Sequence, residues 1–237
     1  DRKRRAGELG IYFTDSFKVS PQFTLDFGLR WDYFTSPTYD DNLMFNWDPR
    51  NGDVVIPSGT SSEISPLYPD TINIVEGNTV PSADKGNFHP RIGFAYRIGE
   101  DLVFRGGWGT YSERISEFNR LHSGGPFEIT ESYSENAIVD GQPLFAFPSP
   151  WPDLSAAAIP SQSVTGHPLQ TENGKIHQFN LSVEKRIFDL GFRVSYIGSR
   201  SRGLNYYLNI NKPEASDIPF TSDRRNYPQF VSASWPS

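Results

Sequence analysis

The sequence has no cysteine, a single methionine and no long hydrophobic run. Without cysteine, a disulfide framework, a thiolate metal site and a cysteine nucleophile are all excluded. The mean hydropathy is −0.51, and no apolar run approaches the roughly 18 residues of a spanning helix, so any membrane segment must be a strand. Lys and Arg number 22 against 28 Asp and Glu, a net charge of −6. This balance gives no basic footprint for nucleic acid.

Aromatic residues, glycine and proline are abundant instead. Aromatics make up 14% of the 237 residues, and there are 20 Gly and 19 Pro. Disordered chains are poor in aromatics, so this composition indicates a folded, β-rich chain with many turns.

Six short segments alternate apolar and polar residues, and they come in three pairs. The clearest alternation runs from Phe23 to Tyr33 and follows a similar run that ends at Val19. The second pair covers 90–98 and 102–111, and the third covers 178–184 and 192–196. Alternation with period two predicts strands, and breaks of about three residues predict hairpins. A stretch at 115–121 is compatible with a short loop helix.

The connections between the hairpins are much longer than the turns within them. We predict hairpins at about 8–34, 90–112 and 175–200, and long loops at about 35–89, 113–174 and 203–237. Strict alternation of short turns and long loops is typical of outer-membrane barrels, with short periplasmic turns and long extracellular loops. An 11-residue strand tilted by roughly 40° spans about 25 Å, the height of the apolar band of such barrels.

The predicted fold class is therefore all-β, an antiparallel up-and-down transmembrane β-barrel fragment of about six strands in three hairpins. A β-sandwich with the apolar faces packed on a core explains the same alternation and remains the alternative.

The alternation also assigns each strand residue to a face. The predicted lipid-facing residues are Phe23, Leu25, Phe27, Leu29, Phe94, Tyr96, Phe104, Phe179, Leu181, Val183, Phe192 and Val194. The predicted lumen-facing residues are Asp26, Arg30, Arg91, Arg105, Asn180, Glu184 and Arg193. An aromatic girdle at the membrane interface is predicted for Trp31, Tyr33, Trp108 and Tyr196, although aromatics favour strands anywhere.

Glycines interrupt the second hairpin at positions 106, 107 and 109. Glycine removes side chains and lets another backbone approach closely. Two interpretations stay open: Gly107 and Gly109 leave room for a plug inside a barrel, or the glycines mark a β-bulge at a bend.

Three pieces of sequence resemble one family. The first is 12–19 with 25–34, which is similar to "YxQDxWKV … TLNLGLRYEYF" but departs from it at Thr14 and Phe17. The second is 87–96 with 104–111, similar to "NFxPRLGFAY … VRGGYGxFY", and the third is 178–185 with 194–200, similar to "WNLSVQR … YVGSRG". On these motifs the chain resembles the barrel of TonB-dependent outer-membrane receptors of the Oar-like type.

The resemblance implies a receptor and transporter of the cell outer membrane, of the Gram-negative type. Its extracellular loops would capture a ligand of unknown identity and import it through a plugged barrel. The implied partners are outer-membrane lipid, the imported ligand, and the TonB complex acting through a plug domain that this chain lacks. Plugged transporter barrels have about 22 strands, so six strands do not close around such a lumen and the chain is expected to be truncated at both ends.

No catalytic, metal or cofactor motif is found, and we expect no cofactor and no enzymatic activity. The four histidines are distant in sequence and lack ligand spacing. The segment 48–53 fails the register of a calcium loop and is interpreted as a turn. The competing functions are a soluble all-β ligand- or carbohydrate-binding module that uses Trp and Tyr platforms and, least favoured, a secreted β-propeller fragment with enzymatic activity.

Overall fold

The chain is organised around a six-stranded antiparallel sheet. The computed structural model describes residues 2–114, 125–129, 138–139, 141–143 and 162–237. The strands of this sheet are β1 (Glu8–Lys18), β2 (Phe23–Phe34), β3 (Phe88–Ile98), β4 (Leu102–Glu113), β5 (Gly174–Ile187) and β6 (Leu190–Arg202). Each strand pairs with its neighbours in the chain, so the spatial order is the sequence order. This confirms the predicted all-β, up-and-down fold with three hairpins and short turns.

The described residues contain no helix with the length and hydropathy needed to cross a membrane. The only helical elements among them are single 3₁₀ turns at Ser61–Glu63, Gly125–Phe127 and Ser222–Arg224. The helix considered for 115–121 lies outside the described residues.

Pairing in the sheet is continuous through the glycine-rich part of β4. The β3–β4 register runs without interruption from Arg91 opposite Gly109 to Ile98 opposite Leu102. The β4–β5 register is equally regular from Glu113 to Leu102. A bulge would place two residues of one strand opposite one residue of the other. The bulge interpretation of these glycines is therefore wrong.

One face of the sheet is apolar and uncovered. Phe27, Leu29 and Leu181 are 42%, 47% and 47% exposed, and Val194 on the edge strand is 74% exposed. Within the described residues no second sheet packs over this face, as a sandwich requires. The apolar alternation therefore does not build the hydrophobic core.

The core lies in the long loops. Two three-stranded sheets form there, one from Asn46–Asp48, Asp53–Ile56 and Ile74–Glu76, the other from Ser163–Thr165, Tyr207–Asn209 and Ser232–Pro236. We call these two sheets and the residues packed between them the loop layer. Trp47, Val54 and Ala233 are fully buried in its core, and Phe230 is 1% exposed. Short two-stranded ladders at Arg4–Arg5 with Thr38–Tyr39 and at Ile138–Val139 with Gln142–Pro143 complete the strands.

Candidate functional site

The polar residues predicted for the lumen share one face of the sheet, which we call the inner face. Asp26 lies opposite Gly93, Gly28 opposite Arg91 and Arg30 opposite His89. The same register continues across the sheet to Arg105, Asn180, Glu184 and Arg193. Their contact with a lumen remains a prediction, because the structure places them on a common face and does not include a closed barrel.

A partly buried ion pair occupies the loop end of the inner face. Arg30 Nε donates to Asp32 Oδ1 at 2.8 Å, and its Nη2 lies 2.7 Å from the same oxygen. His89 is 1% exposed, and its Nε2 lies 3.6 Å from Asp32 Oδ2. A Cβ at Gly10 would lie 2.9 Å from Asp32 Oδ1, so the glycine leaves the space that this pair fills.

The alternation of β2 also predicts Asp32 on the lumen-facing side, whereas no sequence pattern singles out His89. The position of His89 depends on the β2–β3 register, which places it opposite Arg30. The long loop between these strands hides that register from sequence inspection.

A second ion-pair cluster lies towards the short-turn end of the inner face. Glu184 is 3.4 Å from Arg105 Nε and 2.8 Å from Arg193 Nη2. Arg186 donates from Nε to Asp101 Oδ1 at 3.2 Å. Three neighbouring strands are cross-linked by these charges, since Arg105 belongs to β4, Glu184 to β5 and Arg193 to β6.

Between the two ion-pair clusters, glycines without side chains make the surface of the inner face a shallow depression. Gly93 on β3 lies opposite Gly107 on β4, and a Cβ at Gly107 would lie 3.4 Å from the Asn180 amide nitrogen. The Arg91 guanidinium stacks over the Tyr111 ring at 4.7 Å from its centroid. The result is a shallow polar strip bordered by cationic and aromatic groups, which is suited to contact with another backbone or a polar solute.

The opposite, outer face carries every residue predicted to face lipid. The pairs Phe23 with Tyr96 and Phe179 with Tyr196 have ring centroids 6.0 Å apart. Phe94 covers Gly106 of the next strand, and Phe179 covers Gly198. Cross-strand rings therefore fill the gaps that these outer-face glycines leave. The remaining predicted members, Leu25, Phe27, Leu29, Phe104, Leu181, Val183, Phe192 and Val194, lie on the same face by register. Lipid contact itself stays a prediction.

The predicted girdle residues occupy three settings on the outer face. Trp31 stacks on Tyr33 with centroids 5.9 Å apart, and its Nε1 donates to the Lys85 carbonyl at 2.9 Å. An apolar ring with a satisfied polar edge suits a membrane interface. Trp108 instead stacks on His177 with centroids 6.1 Å apart. Tyr196 is 65% exposed on the edge strand.

A hydrogen-bond network ties both long loops to the loop end of the sheet. Asn87 is fully buried, and its Oδ1 accepts from Ser112 Oγ at 2.9 Å and from Asn173 Nδ2 at 3.0 Å. The Asn173 backbone N–H donates to Asp84 Oδ2 at 2.9 Å. These contacts fix the position of the loop layer relative to the sheet.

The loop layer contains a cleft of about 290 Å³. Trp235 and Leu169 give it apolar walls next to the buried Trp47, and Asp48 and Arg50 form an ion pair at its rim. Hydrogen bonds from Arg50 hold the pKa of the Asp48 carboxyl below its usual range. A cleft with aromatic walls and a polar rim fits a small amphipathic ligand.

The segment 48–53 at this cleft forms a turn, as predicted, with Asp48 opposite Asp53 and Gly52 at a φ of 79°. In the part of the chain that the structure describes, no three His, Asp or Glu side chains are grouped to hold a metal ion.

Comparison with known protein families identifies one match. A family described as "Outer membrane beta barrel domain" matches residues 1–235, which is nearly the whole chain. Neither the curated proteins nor the solved structures include a match.

Proposed function

Because the chain belongs to the outer membrane beta barrel domain family and so lies in the cell outer membrane, we propose that it forms part of a TonB-dependent receptor that imports a ligand. Family membership supports a membrane transport or receptor role. The observation that carries the finer proposal is the division of the sheet into an exposed apolar face and a polar, glycine-lined face. A barrel wall with lipid outside and a plug or solute inside needs this division.

In this proposal the loop layer captures the ligand. Short turns lie on the periplasmic side of outer-membrane barrels, so the loop layer faces the cell exterior. The cleft beside Trp47 and Trp235 offers a binding volume of about 290 Å³ there. Its apolar walls provide contact area for the ligand, and the Asp48–Arg50 ion pair at its rim orients the ligand through polar contacts.

The inner face takes part in passage of the ligand. The strip at Gly93 and Gly107 admits a plug backbone, and the ion-pair clusters on either side offer polar partners to it. Energy from the inner membrane, delivered through TonB, shifts the plug and opens the lumen. In this proposal the chain binds and positions the ligand and performs no catalysis.

Single cysteines test the proposal, because the chain has none of its own. Asn180→Cys probes the inner face and Leu181→Cys probes the outer face in an otherwise cysteine-free full-length protein in cells. We expect a water-soluble maleimide to label Asn180→Cys faster in energised cells than after addition of a protonophore. Leu181→Cys should be labelled slowly in both conditions. Labelling of Asn180→Cys at the same rate with and without energy would contradict TonB-driven import. It would not contradict the barrel fold.

The soluble carbohydrate-binding module is the weaker candidate. It requires the face that bears Phe27 and Leu181 to be packed against protein, yet these residues are 42% and 47% exposed. Membership of an outer-membrane family also argues against a soluble module.

A further inference from the structure

A buried histidine lies next to the hydrogen bonds that hold the long loops on the sheet. His89 follows Asn87 by two residues, and the Asn87 side chain accepts from Ser112 and Asn173. The Asn87 carbonyl also accepts from the Asp32 backbone N–H at 3.1 Å. We call Asp32, Asp84, Asn87, Ser112 and Asn173 the loop junction. The ends of both long loops therefore meet the central strands beside His89.

The His89 ring has no hydrogen bond in the part of the chain that the structure describes. The residue is 1% exposed, and neither of its ring nitrogens has a partner there. Its Nε2 lies 3.6 Å from Asp32 Oδ2, which is too long for a hydrogen bond. Buried polar groups are nearly always hydrogen-bonded, and a buried charge without a close partner is far more costly than a buried neutral group.

The charges around the ring oppose a further positive charge. Asp32 faces the ring, but Arg30 Nε already binds both of its carboxylate oxygens, at 2.8 and 3.0 Å. The other charged side chains that act on the ring are cations: Arg30 of β2, Arg91 of the same strand and Lys175 of β5.

The remaining neighbouring elements add no free anion at the ring. On β1, the residue opposite Asp32 is Gly10, which has no side chain. On β4, Tyr111 lies under the Arg91 guanidinium. In the loop before β3, the Asp84 carboxylate accepts from the backbone N–H groups of Gly86 and Asn173.

A proton on His89 therefore puts an uncompensated charge into a space closed to water. Such a charge is relieved when the group reaches solvent. The route to solvent is opening of the loop junction, because Asn87 is two residues away and Asp32 belongs to both the junction and the ion pair. An imidazole in water takes up a proton with a pKa of about 6.5.

We propose that His89 makes the attachment of the loop layer sensitive to pH. The neutral ring keeps the loop junction closed, and protonation in a mildly acidic medium releases the ends of both long loops from the sheet. The pH then determines how firmly the loop layer is attached. The proposal needs only the fold of the chain, and it does not depend on ligand import or on TonB.

The test is hydrogen exchange measured by mass spectrometry on the full-length protein in detergent, at pH 7.5 and pH 5.5. Each rate is divided by the intrinsic exchange rate at the same pH. The reporters are the backbone N–H groups of Asp32 and Asn173, which donate within the loop junction. The internal control is the Val54 N–H, which donates to Asn73 in the loop layer.

The expected size follows from proton linkage. Opening that exposes one imidazole with a pKa of about 6.5 becomes about tenfold more populated between these two pH values. We therefore expect about tenfold faster corrected exchange at Asp32 and Asn173, and an unchanged rate at Val54. Unchanged exchange at the two reporters would overturn the proposal. Equal acceleration at Val54 would also overturn it, because it would show general loosening in acid.

Two variants separate His89 from the other histidines. His89→Gln carries a side chain that is neutral at both pH values, so the acceleration should disappear. The matched control is His177→Gln, which removes a histidine that stacks on Trp108 outside the loop junction and should keep the acceleration. Acceleration that persists in His89→Gln would refute the role of His89.

A measurement on the wild type does not depend on how the variants fold. Histidine labelled with ¹⁵N in the ring reports protonation directly by NMR. One histidine should change its protonation state over the same pH range as the exchange at Asp32 and Asn173. If no histidine titrates together with this exchange, the proposal is wrong.

Discussion

Replacing Phe27 by arginine tests which face of the sheet contacts lipid. Phe27 lies on the outer face, opposite Ile92 of β3 and Asp15 of β1. It is 42% exposed, and its ring lies against Phe13 with centroids 6.3 Å apart, so the substitution also removes one aromatic contact. Its main effect is to place a charge in whatever medium covers this face.

The expected magnitude follows from the depth of the residue. Phe27 is midway between Phe23, at the short turn, and Trp31, near the loop end of β2. Four residues at about 3.3 Å and a tilt of roughly 40° put it about 10 Å above Phe23, near the middle of the apolar band. Arginine on the lipid face near the midplane costs about 2–4 kcal/mol.

The assay is reversible refolding of the full-length protein into lipid vesicles, followed through denaturant titration by tryptophan fluorescence. Asp26→Arg is the matched control, since it introduces the same side chain one residue away on the exposed polar face. We expect the free energy of unfolding to fall by about 2–4 kcal/mol for Phe27→Arg and to change little for Asp26→Arg. The opposite ranking would show that the two faces are assigned the wrong way round.

Three further outcomes are expected. Trp47→Ala in the core of the loop layer should cost about 3–5 kcal/mol, seen as rapid proteolysis within the loops while the sheet stays resistant. Arg50→Ala should raise the pKa of Asp48 in an NMR titration; the ion pair stabilises the fold fully above the ordinary carboxyl pKa, and its contribution disappears as the pH falls through the lowered value. Gly106→Ala forces the facing phenylalanine ring to move and should cost about 1–3 kcal/mol in the vesicle assay, whereas Gly107→Ala should cost less because its nearest neighbour is 3.4 Å away.

The sheet was accessible from the sequence because its signals are local. Period-two alternation from Phe23 to Tyr33 fixes both the strand and the residues that share a face. The three-residue breaks fix the hairpins. Asp15 breaks the apolar alternation of the first run in the sequence, and the structure places its carboxylate on the outer face of the edge strand β1, opposite Phe27.

The loop layer and the position of His89 beside the inner-face ion pair were not accessible because they depend on distant parts of the chain. Trp47 packs on Tyr227 and Phe230 at centroid distances of 4.8 and 6.2 Å, and no periodicity connects these positions. His89 meets Asp32 only through the pairing of β2 with β3 across a long loop. Interactions of this kind appear when the register is known, and single-sequence patterns do not contain it.

The sequence positions of the loop-layer core residues also indicate the order in which the protein folds. Its buried aromatics come from the loop between β2 and β3 and from the segment after β6, so the core closes a loop that encloses the four strands β3 to β6. Contacts of such long range carry the largest closure entropy and form late. The cluster around Trp47 therefore assembles after the last hairpin is in place. Burial of Trp47 therefore reports that the four strands between its two partner segments, β3 to β6, are in place.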